Sequence, residues 1–161
     1  MGVSGTGKTT VAARLAEHFG WEFIEGDSLH PPANIAKMSA GIPLDDDDRR
    51  PWLEALSLLL AFHHDDGLSN VLTCSALKRG YRDVLRARVP DEGAVFFVHL
   101  AAPFEVLRER MESREHFMPP SLLQSQFDTL ESLGDDELGV VVDVSQPLAG
   151  VIADAIEALG R

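Results

Sequence analysis

Apolar side chains crowd into four short runs along the chain: residues 21–25 (WEFIE), 70–74 (NVLTC), 94–100 (AVFFVHL) and 139–144 (GVVVDV). Each is rich in β-branched or aromatic residues, and none alternates strictly between apolar and polar. That pattern predicts strands buried on both faces, as in a parallel sheet. Between the runs the apolar period lengthens to that of a helix. Val11, Leu15 and Phe19 recur every four residues after Lys8, and Trp52, Leu56 and Leu59 or Leu60 do the same after Pro51. Pro51 suits the first turn of its helix. Asp45, Asp46, Asp47 and Asp48 lie just ahead of it, where carboxylates favour the positive end of the dipole. Further helices are predicted over 81–89, 104–114, 121–130 and 148–159, and a short one from Pro32 to Gly41. Strands alternating with helices predict a single α/β domain over residues 1–161, with helices layered on a parallel sheet. Two irregular stretches, 27–44 and 112–120, read either as functional loops or as plain connections.

Composition narrows the class. The 161 residues, 45% of them apolar, suit one soluble domain. No apolar run approaches the roughly 18 residues that a membrane-spanning helix needs, so no membrane partner is expected. The opening residues carry no basic patch followed by an apolar stretch, so no secretory signal is expected either. Cys74 is the single cysteine and cannot form an internal disulfide, which favours a reducing cytoplasm. The formal net charge of −12 argues against nucleic acid, whose phosphates need a basic surface. It leaves room for a small anion held by a few arginines focused in a cleft.

Residues 2–9 read GVSGTGKT and match G-x-x-x-x-G-K-[ST] through Gly2, Gly7, Lys8 and Thr9. Glycines at such spacing let backbone N–H groups turn inward around a phosphate, and the following helix adds unpaired N–H groups and a positive dipole end. Ser4, Gly5, Thr6 and Thr10 complete the expected cradle. Lys8 is placed to reach the β and γ oxygens of ATP, and the Thr9 hydroxyl to ligate Mg²⁺. Only Met1 precedes the motif, where a strand should lead into it. Without that strand, two central neighbours would lose ladder partners across a gap about two strand spacings wide. The expectation is therefore a reading frame that starts upstream, with Met1 an internal residue.

Other residues point towards a phosphoryl acceptor. Asp27 follows the first predicted strand, at the carboxyl end where open α/β sheets bind ligands. Its carboxylate could take a proton from an attacking hydroxyl, hold Mg²⁺ through water, or simply cap the next turn. His30, in HPPAN, either meets substrate or is structural. Arg49 and Arg50 belong to a charge run that could be a solvated face, yet arginine offers a planar fork to a carboxylate. Lys78 and Arg82 follow the second predicted strand, as cleft cations or as ordinary surface charge. Arg110 and Arg114 share a helix face beside the loop HFMP, a lid-like arrangement at about 110–120 or an exposed amphipathic face.

The strings MGVSGTGKTT, GDSLHPPANIAKMSAGIPLDDDDRRPWL, CSALKRGYRDVLR, HFMPPSLLQSQFDTLE and VVDVSQPL run through nearly the whole chain. In that order they closely resemble the gluconokinase family of small P-loop kinases. The resemblance implies a nucleoside-monophosphate-kinase-like three-layer sandwich with a parallel sheet in the order 2-3-1-4-5, its first strand missing here. It implies ATP- and Mg²⁺-dependent phosphorylation of D-gluconate at the 6-hydroxyl, often by a homodimer. On the matching positions, Asp27 resembles the acceptor base, His30, Arg49, Lys78 and Arg82 the gluconate cleft, and Arg110 and Arg114 the lid. The turn 145–147, with Gln146 and Pro147, would lie near adenine. A kinase for a shikimate-like acid or a nucleoside monophosphate fits HPPAN and DDDDRRPW poorly. A GTP-dependent switch would need an N-K-x-D string, which is absent from the sequence.

Overall fold

A computed structural model describes residues 1–91, 93–112 and 120–160. Helix α1 (Lys8–Phe19) leads to β1 (Glu22–Glu25) and a 3₁₀ turn (Gly26–Leu29), then α2 (Pro32–Ser39) and α3 (Asp46–Asp65). The chain continues through β2 (Asn70–Thr73), α4 (Arg79–Arg86), β3 (Phe97–Ala101) and α5 (Phe104–Glu112). It ends with α6 (Pro120–Thr129), β4 (Gly139–Asp143) and α7 (Leu148–Leu159). All four predicted strands form, each within a few residues of its apolar run.

Helix α3 begins earlier than its proline suggests. Asp45 caps it, accepting from the Asp48 N–H at 2.8 Å, while the Asp48 side chain accepts from the Asp45 N–H at 3.1 Å. This reciprocal box nucleates the helix at Asp46, so Pro51 lies inside it rather than in its first turn. The sixth helical residue thus lacks the N–H that would reach the Asp47 carbonyl.

Strand β1 pairs in parallel with β2, in the register Glu22 to Asn70 through Glu25 to Thr73. Strand β3 pairs in parallel with β4, from Phe97 opposite Gly139 to Ala101 opposite Asp143. Among the described residues these are two separate pairs rather than one sheet. Met1 and Gly2 are the bridge between them. The Met1 amino group donates to the Val98 carbonyl at 2.6 Å, and its own carbonyl accepts from the Leu100 N–H at 3.0 Å. The Gly2 N–H donates to the Ser75 carbonyl at 3.1 Å. Burial pushes the Met1 amino group down to about 5. Next to this bridge lies a cavity of about 710 Å³, lined among others by Val11, Leu15, Val71, Leu72, Val98 and Leu100.

Helix α1 packs on both β1 and β2, α7 packs on β4, and the two helices touch each other. Helix α3 packs on α4, and α5 on α6. The core joins these layers through Leu15, Trp52, Leu56, Leu77, Leu107 and Val151. His99 of β3 is buried too, and neither ring nitrogen finds a hydrogen bond among the described residues. Burial lowers its pKa to about 4, so it stays neutral down to that pH. No described helix is long and apolar enough to cross a membrane.

Candidate active site

The glycine-rich loop winds from the Met1–Gly2 bridge into α1. Gly2, Gly5 and Gly7 have φ of +134°, +82° and +85°, values that favour glycine. At Gly2 a side chain would also sit 2.5 Å from the Leu100 carbonyl oxygen. Thr6 Oγ1 and Lys8 Nζ both donate to the Val3 carbonyl, at 2.9 and 3.1 Å, which holds the loop closed on itself. Helix α1 has no side-chain cap at Gly7. Its first N–H groups, from Lys8, Thr9 and Thr10, therefore remain available to an anion. Burial lowers the Lys8 pKa, and the carboxylates of Asp27 and Glu25 oppose that shift. The Ser4 N–H is met by Gln126 Oε1 of α6 at 2.6 Å.

At the carboxyl end of β1, Gly26 turns the chain so tightly that a Cβ there would lie 2.0 Å from the Thr73 carbonyl oxygen. The Trp52 indole N–H donates to the Gly26 carbonyl at 2.8 Å and pins this turn to α3. Asp27 follows with its side chain 62% exposed, open to a ligand. His30 is buried, and its ring stacks on Trp52 with centroids 3.9 Å apart. His30 Nδ1 lies 3.3 Å from Asn34 Nδ2, and Nε2 lies 3.9 Å from Asp27 Oδ1. Burial holds its pKa below the usual histidine value. Only the Nε2 edge, beside Asp27, is left for a ligand. The residue is thus partly a packing piece, as its stacking on Trp52 requires.

A second group gathers where α3 starts. Lys78 Nζ donates to both oxygens of Asp46, at 2.8 and 3.0 Å, and the Tyr81 hydroxyl donates to the same carboxylate. Arg49 Nη1 bonds the Leu44 carbonyl and lies 3.3 Å from the Tyr81 hydroxyl. The guanidinium of Arg49 and the ammonium of Lys78 each lie 5.5 Å from the centre of the Tyr81 ring. The hydrogen bond from Lys78 lowers the Asp46 pKa, and the same bond raises that of Lys78. Arg49, Lys78 and Asp46 border an open cavity of about 500 Å³, together with Asp45 and Asp47. Arg50 is exposed and belongs to the solvated side of the run.

Arg82 requires a correction. Its side chain and that of Glu137 are fully buried and form a two-pronged ion pair at 2.6 and 2.7 Å. The remaining guanidinium donors reach the carbonyls of Ala76, Glu131 and Ser132 at 3.1 to 3.2 Å. With all five N–H groups engaged, Arg82 has none to offer an acceptor substrate. Its charge was legible in the sequence, whereas its inward facing on α4 was not.

On the far side, Arg110 Nη2 donates to the Val144 carbonyl at 2.6 Å, tying α5 to the end of β4. The turn that follows is braced by Gln146, whose amide reaches the Asp143 carbonyl at 3.0 Å and Asp154 Oδ2 at 2.7 Å. Pro147 then opens α7. Arg114, His116, Phe117, Met118 and Pro119 lie outside the described residues. Sequence reasoning does not single out Glu25, Asp46, Tyr81 or Gln126 as participants. Glu25 stands two residues before Asp27 in the string EGD, the one local signal that could have raised it.

A phosphate loop running into α1, parallel strands whose carboxyl ends face it, and an acidic turn at one of those ends define a P-loop kinase. Residues 1–132 match the family described as AAA domain. A gluconokinase of Gluconobacter oxydans is 56% identical over 138 residues, covering 85% of this chain and 76% of that protein. The thermoresistant gluconokinase of Escherichia coli is 44% identical over 163 residues, covering 100% of this chain and 91% of that protein. The crystal structure of a gluconokinase from Sinorhizobium meliloti superposes with a TM-score of 0.89 at 52% identity, covering 100% of this chain and 89% of that one. The chain belongs to the gluconokinase family.

Proposed function

We propose that this protein transfers the γ-phosphoryl group of ATP to the 6-hydroxyl of D-gluconate, giving 6-phospho-D-gluconate. The observation that carries the reading is the position of Asp27. Its charge is felt by Lys8 of the phosphate loop on one side and by His30 on the other, and His30 in turn feels Arg49 of the second cavity. One exposed carboxylate thus stands between a nucleotide site and a cleft that sets Arg49 and Lys78 among Asp45, Asp46 and Asp47.

In this reading the N–H groups of the loop 2–9 hold the ATP phosphates. Gln146 and Pro147 border the adenine, and Arg49 and Lys78 take the gluconate carboxylate. Asp27, with the His30 edge beside it, orients the 6-hydroxyl and accepts its proton as the oxygen attacks phosphorus in line with the departing ADP. Lys8 and Arg110 offset the charge on the transferring group, and Arg114 would join them. Mg²⁺ suits the donors at hand. Among the described residues no cluster of three or more His, Cys, Asp or Glu could hold a metal. A magnesium site needs none, because it takes one or two protein oxygens and fills its shell with phosphate and water. Thr9 and, through water, Asp27 would supply them, and the bound ion would neutralise charge on the β and γ oxygens.

The sheet order we infer is 2-3-1-4-5, counting a strand ahead of Met1 as 1, so that β1, β2, β3 and β4 are its strands 2, 3, 4 and 5. An extended apolar segment leading into Met1 would run parallel between β2 and β3. What supports this is the 710 Å³ cavity, lined on its helical side mainly by apolar residues with Lys8 and His64 among them, and the bridging bonds of Met1 and Gly2 to both neighbours. A cytoplasmic homodimer accompanies the reading. Leu58 and Phe62, four residues apart on α3 and both exposed, offer it an apolar face, and a monomeric mass by sedimentation would remove it.

The test is ATP turnover with Mg²⁺, with and without D-gluconate. It is run on the chain as it stands and on one extended before Met1 by a five-residue run of valine and isoleucine. Turnover is expected only with gluconate, and the extended chain is expected to melt higher. Gluconate-independent hydrolysis would overturn the acceptor, and an unchanged or lower melting temperature would overturn the inferred strand.

A further inference from the structure

Glu25, the last residue of β1, takes no part in the proton transfer or phosphate binding described above, yet it touches the phosphate loop. Its Oε2 accepts from the Thr9 hydroxyl at 2.6 Å. Its Oε1 accepts from the Thr73 hydroxyl of β2. The Thr73 oxygen accepts in turn from the Gly26 N–H at 3.0 Å. Thr73 is 3% exposed, so water does not compete at that end of the chain of bonds.

The polarity of this chain is fixed. A backbone N–H can only donate, so the Thr73 oxygen must accept from Gly26 and send its own proton to Glu25. An ionised carboxylate can only accept, so the Thr9 hydroxyl must also donate to Glu25. A hydroxyl has one proton and two lone pairs. With its proton committed to Glu25, the Thr9 hydroxyl presents only lone pairs to any further partner. That is what a cation bound at Thr9 requires.

We infer that Glu25 is a positioning residue for Mg²⁺: it acts through Thr9 by setting the direction of its hydroxyl, and Thr73 sets Glu25. The inference rests on the reading of Thr9 as the magnesium residue of a kinase. A glutamine at position 25 keeps the shape but can present its NH₂ group to Thr9. The hydroxyl would then accept, and its proton would face the cation. Loss of such an outer partner typically costs about 10- to 100-fold in metal affinity.

The experiment measures binding of a fluorescent ATP analogue in EDTA and across a Mg²⁺ titration. It uses the wild-type chain, Glu25→Gln, Thr73→Val and Thr73→Ser, each checked for folding by its melting curve. Glu25→Gln should bind nucleotide in EDTA as the wild type does, and should need about tenfold more Mg²⁺ to reach half of the Mg²⁺-enhanced binding. Thr73→Val should shift in the same direction, and Thr73→Ser, which keeps the hydroxyl, should not. Equal Mg²⁺ midpoints for Glu25→Gln and wild type would overturn the role of Glu25 while leaving the kinase reading intact. A parallel loss in EDTA and in Mg²⁺ would also overturn it, because Glu25 would then be shaping the loop. A wild-type chain indifferent to Mg²⁺ would sink the kinase reading and this inference together. Should Glu25→Gln fail to fold, the Thr73→Val and Thr73→Ser pair decides.

Discussion

Replacing Asp27 by asparagine is expected to lower kcat by about 10²- to 10⁴-fold, the range for removing a positioned general base. The side chain keeps its shape, and its exposed place in the Gly26–Leu29 turn carries no packing that the change would disturb. ATP affinity should therefore change little, apart from the loss of one carboxylate that opposes the lowering of the Lys8 pKa. Steady-state kinetics with varied ATP and gluconate, together with nucleotide binding at equilibrium, separate these quantities. A variant turning over at the wild-type rate would remove Asp27 from the chemistry. A variant failing only through nucleotide affinity would reassign it to the metal and phosphates.

The second large effect is on stability. Arg82→Met should destabilise the fold by about 3–5 kcal/mol, because Glu137 would remain a buried charge without its partner. The same change frees the carbonyls of Ala76, Glu131 and Ser132. Ala76 has a φ of +45°, a conformation that a non-glycine residue holds only when its surroundings enforce it. With a urea slope of about 1–3 kcal/mol per molar, the denaturation midpoint should fall by about 1 M or more. Arg82→Met combined with Glu137→Leu should recover much of the loss, since an apolar pair leaves no orphan charge. The pH dependence has a definite sign. Arg82 holds the Glu137 carboxyl down to about 2, against an ordinary value of 4.5. Its contribution is therefore complete above pH 4.5 and is lost as the pH falls towards 2. The gap between wild type and Arg82→Met should accordingly narrow below pH 4.5. Below the melting temperature the variant should keep its KM for gluconate. A raised KM with unchanged stability would return Arg82 to the acceptor cleft.

Much of the architecture was local, and so was legible. Apolar runs of β-branched residues placed β1 to β4, and the spacing of Val11, Leu15 and Phe19 placed α1, because strand and helix periods are written into neighbouring residues. The glycines of the phosphate loop could be assigned for the same reason: a left-handed φ and close approach to Leu100 are demands that only glycine meets. The start of α3 was missed by several residues, since a proline signal competed with the Asp45–Asp48 capping box and the box prevailed.

What the chain determines by itself is thus the order of its elements, the nucleotide loop and the family to which its motifs belong. The tertiary structure decided which charges meet. Arg82 and Arg49 are both arginines near a helix start, yet one is sealed against Glu137 and the other borders an open cavity. The Gly26–Thr73–Glu25–Thr9 chain joins residues up to 64 positions apart (9 to 73) through the parallel pairing of β1 and β2. No local pattern encodes such distances, because burial and hydrogen-bond partners are properties of the packed layers rather than of neighbours in sequence.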